Sequence, residues 1–179
     1  SHSSPERPLT VTKITSVQTF DVRFPTGQHG HGSDAMNKDP DYSAAYLVLG
    51  TDNPDLDGHS LVFTIGRGND LQCESIRQLA ESVVGEPLEG LVDRIGAIGR
   101  ELVRDSQMRW LGPEKGIPHM AAGGVINALW DLVCKVEKKP LWQLLSHLSP
   151  QQLVELIDFR YLTDALTPDE ALEIFTKAE

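Results

Sequence analysis

The sequence changes character near residue 66, and this change constrains the fold more than any other feature. Before it, three runs rich in β-branched and aromatic residues predict β-strands, at residues 10–23, 42–51 and 59–65. The turn-forming stretch DNPDLDG at residues 52–58 joins the last two runs into a hairpin. Together the three runs predict a three-stranded antiparallel sheet.

From residue 71 onward, apolar residues recur every three or four positions and predict helices over residues 71–84, 91–104, 116–138 and 141–148. The preceding GRGND stretch is interpreted as a strand-to-helix turn with Asn69 or Asp70 as the N-cap. Small residues at 121–124 favour close approach of another backbone, and Trp110 is expected to anchor the loop at residues 106–116. Strands followed by a helical bundle predict an α+β domain.

Residues 151–179 have a different pattern. A short helix at residues 150–154 precedes a strand-like run at 156–162, and Thr167, Pro168 and Glu170 form a helix-start signal. One strand–helix unit cannot bury its own strand, because a parallel sheet needs cover on both faces. We therefore expect this end to begin a larger β/α structure. Residues 1–9 are expected to be a tag remnant or a flexible terminus.

A long polar stretch, DVRFPTGQHGHGSDAMNKDPDYSAAY, occupies residues 21–46 between the first two predicted strands. Loops in compact domains usually have about 4–6 residues, and longer ones are usually functional or disordered. This stretch is rich in glycine but contains Met36 and Tyr42 as candidate anchors. We interpret it as a binding loop that the flanking strands present.

The composition disfavours several classes of partner. The net charge is −10, whereas nucleic acids and anionic membranes require a cationic face. No apolar run approaches the ~20 residues of a membrane span. No secretory signal is visible, which favours a cytoplasmic protein. Cys73 and Cys134 lie in apolar periodic segments and are expected to be buried thiols in a reducing compartment.

Candidate ligand-binding residues lie in or beside the long loop: Arg23, His29, His31, Asp34, Asp39, Asp41 and Tyr42. The histidines have the spacing of a metal pair but lack a further ligand, and the acids can bind Mg²⁺ or Ca²⁺ or be solvated loop acids. Arg23 can meet a ligand carboxylate or hold the loop through an acid or carbonyls. Asp34 and Tyr42 suit a hydroxylated ligand. The residues alone show no complete catalytic set.

Several motifs resemble a known family. The segment NALWDLVCK, continued by KKPLWQLL, is similar to the helix that closes the N-terminal capping domain of the enolase superfamily. More specific motifs resemble the L-fuconate dehydratase family of mandelate-racemase-like sugar-acid dehydratases. These motifs, which occur in the same order as in that family, are DVRFPT, GSDAMN, DPDYSAAY, FTIGRGND, DSQMRWLGPEKG and IDFRYLTDALT. The resemblance extends over residues 10–179.

The resemblance implies a capping domain at residues 10–150 and the truncated beginning of a (β/α)₈ barrel at residues 151–179. It implies a Mg²⁺-dependent hydro-lyase that removes water from L-fuconate, or a closely related aldonic acid, to give a 2-keto-3-deoxy acid. The family's catalytic residues and metal ligands lie on later barrel strands. This chain is therefore expected to contain neither, since a whole barrel takes about 250 residues. A symmetric homo-oligomer is also implied.

By motif position, the resemblance places substrate contacts at Gly32, Ser33, Asp34 and Tyr42, with Arg23 as a further candidate. The expected partner is a small sugar acid, held beneath a lid that the long loop forms. Two alternatives stay open at this point. One is a non-catalytic α+β interaction domain, and the other is a metal-binding module that uses the two loop histidines and the loop acids.

Overall fold

The computed structural model of this chain describes residues 11–112, 114 and 116–178. The predicted flexible N-terminus at residues 1–9 lies outside the described residues, as do Pro113 and Lys115 of the predicted loop at 106–116. Along the described residues, three strands come first and six α-helices follow, with short 3-10 turns between them. The α+β prediction is confirmed.

The sheet is antiparallel, with β1 (Ile14–Arg23), β2 (Ser43–Thr51) and β3 (Asp57–Thr64) in sequential order. The predicted strands and hairpin are therefore confirmed. Arg23 lies opposite Ser43, and Ser43 lies opposite Thr64. As a result, the segment leaving β1, the segment entering β2 and the segment leaving β3 meet at one end of the sheet. This register brings the long loop and the GRGND turn together.

The helices pack in layers on the inner face of the sheet. They are α1 (Asn69–Ala80), α2 (Leu91–Val103), α3 (Ile117–Glu137), α4 (Leu141–Ser146), α5 (Pro150–Glu155) and α6 (Pro168–Ala178). Helices α1 and α3 contact the strands, and α2 lies against α3. Alternate residues of β2 point into this core, as the two-residue period of a strand requires. They are Ser43, Ala45, Leu47 and Leu49, and none is more than 3% exposed.

The small residues of α3 have the predicted effect at one position. A Cβ atom at Gly124 would lie 2.9 Å from Val62 Cγ2, so glycine lets the helix approach β3 closely. Ala121 and Ala122 are fully buried beside it. A Cβ atom at Gly123 would meet open space, so the prediction of a close approach is wrong at that residue.

The predicted strand at residues 156–162 is wrong. This segment is irregular and contains a 3-10 turn, Phe159–Tyr161, at whose start Asp158 Oδ1 accepts from Arg160 N (3.1 Å). A parallel strand needs a neighbouring strand, and the strands of the described residues all belong to the antiparallel sheet. The strand-like composition therefore has nothing to pair with. That residues 151–179 begin a barrel stays a prediction.

Helix starts give a mixed result. At α6 the predicted capping box is confirmed, because Thr167 N donates to Glu170 Oε2 (2.8 Å) and Glu170 N donates to Thr167 Oγ1 (3.3 Å). At α1 the prediction of Asn69 or Asp70 is wrong. The N-cap is Gly68 in the left-handed conformation, with φ of 93°. Asn69 is instead the first residue of the helix and is buried.

Two further predictions concern the burial of side chains. Trp110 is 81% exposed, so its expected role as a loop anchor is wrong among the described residues. Cys73 and Cys134 are free thiols, the first buried and the second partly so, and burial raises the pKa of each.

Within residues 11–112, 114 and 116–178, no helix is both long and apolar enough to cross a bilayer.

Replacing Lys138 by glycine should stabilise the protein. Lys138 ends α3 at φ of 52°, a left-handed conformation that favours glycine over side chains with a Cβ atom. We expect Lys138→Gly to raise the free energy of unfolding by ~0.5–1 kcal/mol in urea denaturation. The control is Lys139→Gly, where φ is not positive and glycine should be neutral or destabilising. Equal effects of the two variants would contradict this explanation.

Candidate functional site

The two arms of the long loop are hydrogen bonded to each other where they leave the sheet. Phe24 N donates to Tyr42 O (3.1 Å), which extends the β1–β2 pairing. Thr26 Oγ1 donates to Pro40 O (2.9 Å) and accepts from Tyr42 N (2.9 Å). Gly27 N donates to Asp41 Oδ1 (3.0 Å). These bonds give the loop a defined shape although almost none of its residues is buried.

The tip of the loop is held by a contact between Gly32 and Tyr42. The Tyr42 hydroxyl donates to Gly32 O (3.2 Å), and the ring lies edge-on to Phe63 with centroids 5.3 Å apart. Gly32 has φ of 73°, and a Cβ atom there would overlap the Tyr42 hydroxyl. Tyr42 is therefore an anchor, as predicted. Met36 is 90% exposed, so its expected anchoring role is wrong.

Ser33 and Asp34 form the exposed rim of the same loop. Ser33 Oγ donates to Gly30 O (3.0 Å). Asp34 Oδ1 accepts from the backbone N–H groups of Met36 (2.8 Å) and Asn37 (2.7 Å). The Asn37 backbone and side-chain donors, followed by Met36 N–H, hold the pKa of Asp34 below its ordinary value. Among the described residues, Asp34 Oδ2 has a single contact, to Asn37 Nδ2 (3.3 Å), which leaves it available to accept from a ligand.

Arg23 forms ion pairs within the protein. Its Nε donates to Asp21 Oδ1 and its Nη2 to Asp21 Oδ2, both at 2.8 Å, and Nη2 also approaches Asp70 Oδ1 (3.3 Å). These two acids lie on β1 and α1 rather than in the segment between β1 and β2, and a contact of Arg23 with a ligand carboxylate stays a prediction. Its Nη1 group has no hydrogen-bond partner among the described residues and remains free for a ligand.

A polar cavity of about 450 Å³ lies between the loop and the turn that follows β3. Three cations and two acids contribute to its wall, so it offers both donors and acceptors. The lining residues are Arg23, Met36, Asn37, Lys38, Asp39, Pro40, Asp41, Ile65 and Arg67. Of the predicted site residues, Arg23 lines the cavity. Gly32, Ser33, Asp34 and Tyr42 lie elsewhere in the same loop.

Sequence reasoning missed the contribution of the GRGND turn to this site. Arg67 lines the cavity, Asp70 contacts Arg23, and the Asn69 side chain binds Asp21 beneath it. The predicted meander already implies that this turn lies near the long loop, because adjacent antiparallel strands bring the start of β2 beside the ends of β1 and β3.

The described residues contain no cluster of three or more histidine, cysteine or acidic side chains that could hold a metal. The rings of His29 and His31 lie 6.0 Å apart, and both residues are exposed. The loop acids do not converge, since Asp34 and Asp41 each accept from backbone N–H groups in different parts of the loop. The donor set therefore does not fit Mg²⁺, which prefers several converging oxygens.

Two sequence relatives place this chain in context. It is 53% identical over 163 residues to mitochondrial enolase superfamily member 1 of Xenopus laevis, a match covering 90% of this chain and 37% of that protein. It is 49% identical over 166 residues to L-galactonate dehydratase of Hypocrea jecorina, covering 93% of this chain and 37% of that protein. No protein-family model matches the chain. The chain thus spans 37% of the length of these two relatives.

Solved structures agree with the sequence relatives. Human mitochondrial enolase superfamily member 1 superposes with a TM-score of 0.86 at 47% identity, over 93% of this chain and 38% of that chain. An enolase from Bradyrhizobium, crystallised with magnesium and mandelic acid, superposes with a TM-score of 0.59 over 77% of this chain and 36% of that chain. Its identity is 22%, so this likeness supports the fold alone.

Adding a methyl group at Gly32 should open the tip of the loop. Gly32→Ala places a Cβ atom against the Tyr42 hydroxyl and adds the cost of a left-handed alanine. Gly30→Ala is the matched control, because Gly30 has φ of 65° but a methyl group there would meet nothing within 4 Å. We expect Gly30→Ala to lower the free energy of local opening by about 1 kcal/mol and Gly32→Ala by more. Amide hydrogen exchange over residues 24–42 measures both.

The turn at Asp34 should weaken in acid. Because the folded pKa of Asp34 lies below its ordinary value, its carboxylate stabilises the loop fully above the unfolded pKa of about 3.9. That contribution is lost as the pH falls through the lowered folded pKa. Exchange of the Met36 and Asn37 amides should therefore show reduced protection at low pH. Asp34→Asn keeps an acceptor without the titration, so the same acid sensitivity in that variant would contradict the assignment.

Proposed function

We propose that this chain, which belongs to the enolase superfamily, is the substrate-recognition part of a sugar-acid dehydratase. Its sheet and helices match the N-terminal capping domain of that superfamily. Its similarity, over nearly the whole chain, to a protein named L-galactonate dehydratase carries this proposal. The reaction is β-elimination of water from an aldonic acid, giving a 2-keto-3-deoxy acid. The motif resemblance favours L-fuconate as the substrate, whereas the similarity to a protein named L-galactonate dehydratase favours L-galactonate.

In this proposal the long loop covers the sugar acid and contacts its hydroxyl groups. Asp34 Oδ2 accepts from a hydroxyl, and the lone pairs of Tyr42 and Ser33 offer further acceptors. Arg23 donates through its free Nη1 group. Gly32 contributes its backbone and lets Tyr42 approach closely. These roles follow from the groups that the loop's own hydrogen bonds leave unused.

In this proposal, residues other than the described ones bind the metal and carry out the proton transfers. The described residues hold no Mg²⁺ site, so no catalytic step is assigned to them. Mg²⁺ and a catalytic barrel are expected from the superfamily, as is a homo-oligomeric assembly. The cytoplasmic location stays a prediction from the sequence. The mass of the intact protein gives a direct check. A mass near 19.7 kDa would contradict a complete dehydratase, and a much larger mass supports it.

Relative turnover of L-fuconate and L-galactonate would identify the substrate. The two acids differ by a methyl against a hydroxymethyl group. In an apolar pocket this difference is worth only about 1–3 kcal/mol, whereas a pocket that hydrogen bonds the hydroxyl discriminates far more strongly. The ratio of the two kcat/KM values therefore reports which kind of pocket surrounds that end of the substrate.

Loop substitutions should impair substrate recognition in the protein that carries this chain. We expect Asp34→Ala and Tyr42→Phe each to lower kcat/KM for the sugar acid about tenfold or more, since each removes a hydrogen-bonding group. Mg²⁺ binding should be unchanged. Asp55→Ala is the control, because Asp55 is an exposed acid in the turn at the opposite end of the sheet. Wild-type kinetics in both loop variants would remove the loop from the substrate site.

A further inference from the structure

A fully buried polar side chain is connected to the cavity through Asp21 and Arg23. Asn69, the first residue of α1, is 0% exposed. Its Oδ1 accepts from Thr64 Oγ1 (2.6 Å), and its Nδ2 donates to Asp21 Oδ1 (2.5 Å) and to Ala44 O (3.2 Å). A carboxylate and a carbonyl can only accept, so they fix which end of the amide is the nitrogen. Both N–H groups of the side chain are therefore used.

The three partners of Asn69 belong to three different strands. Asp21 is on β1, Ala44 on β2 and Thr64 on β3, all at the end of the sheet where the long loop and the GRGND turn leave. One amide thus connects every strand to the first turn of α1. A buried amide without such partners destabilises the fold by its full desolvation free energy, so these three hydrogen bonds are strongly favoured.

Asp21 links the buried amide of Asn69 to Arg23, which lines the cavity. Its Oδ1 accepts from both Asn69 Nδ2 and Arg23 Nε, while its Oδ2 accepts from Arg23 Nη2. The two oxygens and the guanidinium therefore form a two-pronged pair whose orientation the buried amide sets. Arg23 in turn lines the cavity and keeps its Nη1 group free. The path from the core to the cavity consists of two side chains and hydrogen bonds no longer than 2.8 Å.

We propose that Asn69 is a positioning residue for the candidate site: its buried amide orients the Asp21 carboxylate, which holds the Arg23 guanidinium at the wall of the cavity. This inference rests on the proposed function, because Arg23 is one of the groups that contact the sugar acid in that proposal. Asn69 touches no substrate in this arrangement. It acts on recognition through Asp21 and Arg23.

The test must separate positioning from a general contribution to stability. Asn69→Ala removes the donor to Asp21. Thr64→Val is the matched control, because it removes a hydrogen bond to the same amide but leaves the Asn69–Asp21 bond in place. A purely structural role predicts similar consequences for both variants. Positioning predicts that the environment of Asp21 and Arg23 changes only in Asn69→Ala.

Three readouts apply to the protein that carries this chain. The pKa of Asp21 lies below its ordinary value because of Arg23 first and Asn69 second, so it should rise in Asn69→Ala by carboxyl-carbon NMR. Protection of the Arg23 Nε–H against exchange should fall in the same variant. In steady-state kinetics, KM for the sugar acid should rise about tenfold, which corresponds to ~1.4 kcal/mol, with kcat less affected. Thr64→Val should resemble the wild type in all three.

Unchanged Asp21 and Arg23 signals in Asn69→Ala, or equal changes in Thr64→Val, would overturn the proposal. So would altered signals with an unaltered KM. If Asn69→Ala does not fold, Asn69→Leu removes the donor to Asp21 while keeping a side chain of similar shape and adding no charge, and the Asp21 pKa should rise in the same way. If the wild type turns over no sugar acid, the proposed function fails, while the two NMR readouts still decide whether Asn69 positions Arg23.

Discussion

The candidate site depends on the need to satisfy one buried amide at the end of the sheet. An unmade hydrogen bond to a buried polar group costs about 1–3 kcal/mol, so Asn69 requires Asp21, Ala44 and Thr64 to stay in place around it. This requirement fixes the ends of three strands relative to α1. Both segments that line the cavity leave the fold at this point. Their relative position is set by this core contact together with the hydrogen bond from Asp41 N to Ile65 O (3.1 Å) between the two segments.

The long loop is ordered by a different kind of interaction. It buries almost no side chain, and its shape comes from backbone groups capped by Thr26, Asp34 and Asp41, together with the contact of Gly32 on Tyr42. Such a segment lies at the low end of the range of local stabilities in a protein. It can open at little cost while the sheet beneath it stays rigid. A lid over a small substrate needs this combination.

The sequence predicts the parts of the fold that depend on local periodicity and fails where distant partners decide. The meander and the long helices follow from two- and three-to-four-residue repeats. The run at residues 156–162 has strand-like composition, but β structure requires a neighbour, and none of the described strands lies beside it. Trp110 and Met36 are large and apolar, which makes them natural candidates for anchors, yet burial depends on what packs against them. Arg67 follows β3, and its turn reaches the loop because β2 pairs antiparallel with both β1 and β3, an arrangement that the predicted meander already implies.

The carboxylates in and beside the long loop are suited to substrate recognition rather than to proton transfer. Asp34 and Asp41 are committed through one oxygen each to backbone N–H groups, and Asp21 is committed to Arg23 and Asn69. The pKa values of Asp34 and Asp21 lie below the ordinary value, because hydrogen bonds to the charged form lower the pKa, so these two carboxylates stay ionised and are poor proton donors or acceptors near neutral pH. In the proposed dehydratase, this end of the molecule therefore supplies shape and hydrogen bonds. Binding energy from the remote part of a substrate can still lower the barrier of a reaction catalysed elsewhere, because it holds the reacting atoms in place.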